Sequence, residues 1–563
     1  MEEKSKTKIQ EKMNDYFDES INSNNYRSEQ TKERLNMRKN KIFNLLFSKR
    51  KEGIEGFVNG PNEIDINEIN CNENIKKDVN NYLKTEYDIK KWFKYIFSSN
   101  KNEIYLALFL LRRYIELQVI ELKDNKRMLS RNDTELIQKL CDNLLKDDLK
   151  ISYNSCACLS NLTFFPEYIE KRIYSEKNLE KILKFFDIIT KNISSYTYKS
   201  LFLFLNIATN EDVKIYLIKH NFLDFLYNFM KNIINGQIKF VNDISELETI
   251  KTCIKILYQL ILVCEYIDND YMNNFVQFIP FLKIMTNKYF VNIDNIAFDE
   301  EECIYVISLW KIYTKLNDDK NIIINEIIKD NFIQVLIQFY KKFKNINQKL
   351  LFTEIFIYFS TVDICEKILI NDGMLDLLKE EIEKYQYSNV NLLKNLIYCC
   401  SNLTLGNIGE NKTLIKLGII YKIMDITIFY IDDKLDDEII ELLKYCLMSL
   451  IQNINGIDRE TKKQIIVYKN NLIIKILCKA LKLDLEQFSK NKINPQIIIL
   501  VNDLSILSEE LDKEAEKEYD ITCISNSLIE ILNNILNKPN LEPVIVNTIS
   551  DILALLKDKE ENI

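Results

Sequence analysis

The sequence predicts an all-α protein built as a stacked array of helical repeats. Three observations lead there. Only 9 Gly and 6 Pro occur in 563 residues; both interrupt helices, and sheet-rich chains spend more of them on turns. Apolar residues recur every three to four positions through long stretches, the period of a helix with one buried face. One local grammar, a short helix, a bend at Asn or Gly and a longer apolar helix, also returns along most of the chain. Self-similarity of that kind marks stacked repeats.

Composition narrows the rest. The formal net charge is −8, and Lys, Asn, Ile, Tyr and Phe are heavily used. The 13 Cys are odd in number and sit mostly in apolar helical segments, as do Cys253, Cys264, Cys446 and Cys478. That fits buried thiols in a reducing compartment better than a disulfide framework. The N-terminal MEEKSKTKIQEK has no apolar signal core. No apolar run approaches the roughly 20 residues that a bilayer span needs. The expectation is a soluble protein of the cytoplasm and nucleus with no membrane partner.

Chemistry is sparse. The lone histidine, His220, sits in a turn before a repeat bend. Cys156-Ala157-Cys158 lacks a second pair for zinc, and the scattered glycines form no phosphate loop. Carboxylate runs such as Glu300 to Glu302 and Glu509-Glu510 read as solvated surface. No enzymatic activity, cofactor, metal or direct nucleic-acid contact is expected.

In chain order, residues 1–56 read as a polar N-terminal arm, basic from Lys32 and largely disordered. The arm carries Met37-Arg38-Lys39-Asn40-Lys41, then an apolar stretch to Phe47, then Lys49-Arg50-Lys51. Residues 57–86 read as a linker and lead-in helix, residues 87–558 as the helical array, and residues 559–563 as a charged tail. Bends fall at Asn178, Asn221, Asn274, Asn331, Gly373, Gly418 and Asn471. Asn and Gly tolerate the left-handed backbone that such a bend needs. The interval is roughly 42 to 57 residues, the range of armadillo and HEAT units.

A second repeated position lies in the helix that ends each unit. It holds Asn161, Asn206, Asn402 and Asn453; between them, spacing points to Tyr258, Lys311 and Ser360. A ladder of amides along a groove could hold an extended peptide by its backbone, because each amide both donates and accepts. The alternative is that these asparagines cap helix ends.

The stretch CCSNLTLGNIGENKTLIKLGIIYKI, from Cys399, resembles an armadillo repeat of the importin-alpha family, adaptors for nuclear import. CLSNLTFFPEYIEKRIYSEKNLEKIL is similar to an early repeat of that family. MRKNKIFNLLFSKRK resembles its importin-beta-binding segment: Arg38, Lys39 and Lys41 fall on the first basic block, and Lys49, Arg50 and Lys51 on and beside the second. The resemblance implies a right-handed superhelical solenoid of about ten armadillo repeats. It also implies a groove for basic localisation signals, an importin-beta-like receptor bound by the arm, self-inhibition by that arm, and an export receptor as a further partner. Carried over residue by residue, the cargo groove comprises Asn161, Phe202, Asn206, Tyr258, Tyr398, Asn402 and Asn453. The family's Trp column is not kept: its positions hold Ala157, Phe202, Ile254, Phe356, Tyr398 and Ser449. Each lost cation–π contact costs about 0.5–2 kcal/mol. The family's acidic residue after the second Asn falls on Asn210, with Glu211 and Asp212 adjacent. A scaffold for protein assembly with no transport role is the alternative function.

Overall fold

The computed structural model describes residues 94–120, 133–163, 175–191, 195–238, 246–263, 274–291, 299–315, 322–385, 388–405 and 408–433, together with residue 173 and scattered positions between 439 and 553. Every regular element among them is helical. The expected arm, lead-in and tail lie outside the described residues, and so do Asn453, Ser449 and the basic residues from Arg38 to Lys51.

The chain divides into two compact units. The first takes residues 1–225 and 236–252, and the second residues 226–235 and 253–563. The first unit holds α1 (Lys101–Ile120), α2 (Asp133–Leu144), α3 (Leu149–Leu162), α4 (Glu176–Lys191), α5 (Ser195–Ile207) and α6 (Glu211–Lys219). The division runs through α7 (Phe222–Ile234) and α8 (Glu246–Ile261). The second unit continues with α9 (Ile279–Thr286), α10 (Glu300–Lys315), α11 (Ile322–Ile328), α12 (Phe332–Lys342), α13 (Ile346–Ser360), α14 (Asp363–Asn371), α15 (Met374–Tyr385), α16 (Val390–Leu405), α17 (Ile408–Lys416) and α18 (Ile419–Asp433). A short helix, a longer one and a third repeat as α6–α7–α8, α11–α12–α13 and α14–α15–α16.

Bends between the first two helices of a triplet lie where Asn or Gly permits a left-handed turn. Asn221, Asn331, Gly373 and Gly418 have φ of 60°, 54°, 87° and 79°. Two expected bends are displaced. Asn178 lies inside α4, its N–H bonded to Ser175 O at 2.9 Å, so the helix has already begun. Asn274 is helical too, and the chain turns instead at residues 277–278, where Pro280 starts α9 with its φ preset. Asn471 is not described, although Lys469 close by is left-handed at φ 45°.

The core follows the third helices. In the first unit α1 packs on α3 and α3 on α5; in the second, α10 packs on α13 and α13 on α16. Phe186, Phe204 and Phe222 cluster with ring centroids 4.6–5.1 Å apart. Trp310 is fully buried, and its indole N–H donates to Thr286 Oγ1 at 3.1 Å. Beside it, Tyr313 donates to Phe275 O at 2.8 Å. A buried ion pair joins α13 to α15: Lys349 meets both Glu381 oxygens at 2.7 and 2.8 Å. Tyr340 of α12 donates to the same carboxylate at 2.7 Å, while burial and that negative charge push its phenol pKa up. The carboxylate is thus satisfied three times, which is what a buried charge requires.

Two stability predictions follow from buried groups. Asp372 ends α14, where the helix dipole is negative, and its Oδ2 is buried without a hydrogen-bond partner. Burial raises its pKa, so the folded state holds the proton more tightly than the unfolded chain. Stability from this carboxyl is therefore present below its unfolded pKa and lost as pH rises through the folded one. Asp372→Asn should raise the melting temperature at pH 7, and the gain should vanish near pH 3. The described cysteines give the second test. Nine are buried and unpaired by disulfides, and burial pushes Cys141, Cys303 and Cys365 up to about 12. With 13 Cys in the chain, a native thiol titration at pH 8 should label no more than the other four (13 − 9); unfolding in guanidinium should release all of them.

Candidate peptide-binding face

The third helices bury most of their surface, so the few residues left half-exposed define the available face. From residue 201 to 207 on α5, only Phe202 and Asn206 are not buried. On α16 the open stripe is Asn391, Lys394, Asn395, Tyr398 and Asn402, spaced by three or four residues. Each unit therefore presents one aromatic–amide pair a helical turn apart: Phe202 with Asn206 in the first, Tyr398 with Asn402 in the second. Burial pushes the Tyr398 phenol up, keeping it neutral.

The asparagines are held from behind. Asn206 donates from Nδ2 to Ser160 O at 3.0 Å and to Thr163 Oγ1 at 2.7 Å, both at the end of α3. Asn402 does the same to Ile357 O at 3.4 Å and Ser360 Oγ at 2.9 Å, at the end of α13. Asn395, two turns earlier, repeats it on Leu350 O at 3.3 Å and Thr353 Oγ1 at 2.9 Å. In all three cases the hydroxyl gives its own proton to the same carbonyl three residues back, at 2.5, 2.7 and 2.8 Å for Thr163, Ser360 and Thr353. The hydroxyl oxygen is left as an acceptor, so both atoms facing the amide accept, and the amide must present its NH2 to them. Ser160 and Ile357 lie in the last turn of their helices, where carbonyls run out of intrahelical partners. Asn206 and Asn402 thus close the end of the preceding third helix across a repeat boundary, whereas Asn395 bonds α13 in mid-helix.

This clasp also corrects the register of the column. Asn206 bonds the residue before Asn161 and the residue two beyond it; applied to α13, the same rule puts Tyr358 opposite Asn402. The spacing-based choices there, Ser360 and Phe356, are buried, whereas Tyr358 and Glu354 one turn earlier are half-exposed. A helix-length difference of two residues is invisible to counting from bend to bend. Ile254 is buried as well. Asn161 is buried, Ala157 is the half-exposed residue of α3 nearest it, and Tyr258 is half-exposed on α8.

Between α8 and α13 the face is ionic. Lys255 meets Glu302 at 3.2 Å and lies 5.7 Å from the Tyr305 ring, against which Tyr258 packs edge-on at 5.2 Å. Lys311 is paired with Glu354. Glu302 also closes a capping box on α10: its N–H donates to Asp299 Oδ1 at 2.8 Å, and its other oxygen accepts from Asp299 N at 3.4 Å. Asn210 serves as the N-cap of α6, accepting from Val213 N at 3.1 Å, with Glu211 and Asp212 in the first turn. Trp310 does not reach the face. Sequence reasoning passed over Asn395, Tyr358, Glu354 and the three hydroxyls. The signal that finds them is Ser or Thr followed 42 or 43 residues later by Asn.

No group of three or more His, Cys, Asp and Glu among the described residues could hold a metal ion. No described helix is long and apolar enough to cross a membrane.

Stacked helix triplets with a third-helix spine define the class: an all-α solenoid of armadillo type. No protein-family model matches the chain, and no curated protein matches it by sequence. By structure it is similar to an engineered protein at 13% identity and a TM-score of 0.53, with 84% of this chain and 99% of that one covered. It is similar as well to a structure from work on a phosphorylation switch in the interaction between cadherin and beta-catenin, at 11% identity, TM-score 0.48, covering 86% and 94%. A computationally designed armadillo repeat protein for modular peptide recognition matches at 13% identity, TM-score 0.37, over 48% of this chain and 99% of that one.

The clasp is directly testable. Thr163→Val and Asn206→Ala should each cost about 1–2 kcal/mol in urea unfolding, with a coupling of about 1 kcal/mol in the double-mutant cycle. Additivity would mean that the two side chains do not support each other.

Proposed function

We propose that this protein is a non-enzymatic binding scaffold that holds extended peptide segments of partner proteins on its third-helix face. The observation that carries this reading is the recurrence of one half-exposed aromatic–amide pair, Phe202–Asn206 and Tyr398–Asn402, in each compact unit. A neutral ring beside a fixed amide suits a peptide: the ring packs on a side-chain stem while the amide meets the backbone. Such contacts read the main chain and tolerate varied sequences.

A narrower reading makes the protein a nuclear import adaptor working between cytoplasm and nucleus. The basic arm supports it: Arg38, Lys39 and Lys41 would recruit an importin-beta-like receptor, and Lys49, Arg50 and Lys51 would mimic cargo when the groove is empty. Proteins with basic localisation signals would be the cargo, and an export receptor would recycle the adaptor. The plain scaffold reading draws on the ionic stretch. Lys255 and Lys311 put positive side chains on the face that basic cargo would cross.

Fluorescence anisotropy with a labelled lysine-rich localisation peptide separates the two. An adaptor should bind more tightly once residues 1–56 are removed, and Phe202→Ala should weaken that binding by about fivefold or more. Absence of binding by either form at about 50 μM would remove the adaptor reading. The scaffold would then be sought through other peptides.

A further inference from the structure

We infer that Lys255 and Lys311 are resident occupants of two cation sites on the third-helix face, and that these two residues set which peptide segments the second unit accepts. This rests on the peptide-binding reading above and names the side chains that decide its specificity.

A peptide lysine on such a face needs a fixed carboxylate for its ammonium and a ring for its stem. The second unit holds two such sets, and the chain itself fills both. Lys255 of α8 reaches Glu302 at 3.2 Å and lies 5.7 Å from the Tyr305 ring. Neither partner is free to follow a ligand outward. Tyr305 is buried, with the Tyr258 ring edge-on against it. The Glu302 side chain, 7% exposed, is tied to Asp299 N in the capping box of α10, and Lys255 at 14% is the more exposed of the pair. One helix on, Lys311 of α10 meets Glu354 of α13, with half-exposed Tyr358 a helical turn further along.

Tethering decides the competition. A lysine of the chain faces its carboxylate at an effective concentration in the millimolar range, whereas a ligand lysine arrives at its solution concentration. The intramolecular pair therefore holds. A ligand lysine laid over α8, α10 and α13 finds ammonium groups where it needs free carboxylates, so it forms no ion pair and meets like charge. An uncharged ligand segment loses nothing there, because each Lys–Glu pair is neutral as a unit. Selection against Lys and Arg over this stretch thus comes from two side chains, with no change in the helices beneath them.

The test compares a fluorescein-labelled lysine-rich peptide with the same peptide carrying Gln at every Lys, by anisotropy on the full chain and its variants. Lys311→Ala should bind the lysine-rich peptide roughly three- to tenfold more tightly than the unaltered chain. Its affinity for the Gln peptide should stay within about twofold, which separates a freed charge from opened space. Adding Glu354→Gln should abolish the gain. Lys311→Met keeps the stem packed and gives the same readout if Lys311→Ala does not fold; Lys255→Met tests the other site in the same way. A lysine-rich peptide that binds the unaltered chain and gains nothing from either Lys→Met change overturns the inference and leaves the peptide-binding reading intact. A gain that survives Glu354→Gln overturns it too. If the lysine-rich peptide binds no form, the inference fails, and binding of the Gln peptide still upholds the reading. If neither peptide binds any form, both fail.

Discussion

A helix that packs against its neighbours along its whole length has a problem at its C-terminal end. The last carbonyls have no intrahelical partners, and here they are pressed against the next repeat. The cross-repeat clasp resolves this. Thr163 or Ser360 returns its proton to the orphan-end carbonyl, and the following repeat supplies an asparagine amide to both oxygens. Because one amide nitrogen must meet a carbonyl and a hydroxyl oxygen at once, the arrangement fixes separation and register of the third helices together. An apolar residue at the asparagine would leave the carbonyl short of a donor, and an acid would set charge against it.

The same logic recurs away from the face. Lys283 of α9 reaches past α11 to donate to Glu326 O, Lys329 O and Asp330 Oδ2 at 3.1, 2.8 and 3.0 Å. It spends its three protons on the end of a helix that breaks at the left-handed Asp330–Asn331 bend. Lys349 does comparable work inside the core, where Glu381 and Tyr340 share the charge. Apolar packing supplies the bulk of the cohesion, but it is indifferent to sliding. Polar groups with counted donors and acceptors are what select one register among repeats of similar shape.

The face available to a ligand is a by-product of this economy. An asparagine tied backward through its nitrogen has its oxygen and its second N–H left to offer forward. At Lys255–Glu302 and Lys311–Glu354 the long side chains bridge adjacent helices and close on each other. Recognition and stacking thus compete for the same atoms, and the residue type at one position per repeat settles how much is left for a partner.

Scarce Gly and Pro, the helical period and the Asn or Gly bends settled the architecture from sequence. Each acts locally through backbone torsion and side-chain spacing, and four expected bends have left-handed torsions in the structure. The spacing of Phe202 to Asn206 and of Tyr398 to Asn402 was legible for the same reason, because a turn of one helix sets it. Which atoms of those side chains face outward was not legible, since it depends on Thr163, Ser360 and Thr353, some 42 or 43 residues earlier. Nor was the place of Tyr358 in the column, because helix lengths differ between repeats and only packing aligns them. Local chemistry determined that this chain would be a stack of helices; contacts across repeat boundaries decided which side chains the stack ties down and which it leaves half-exposed.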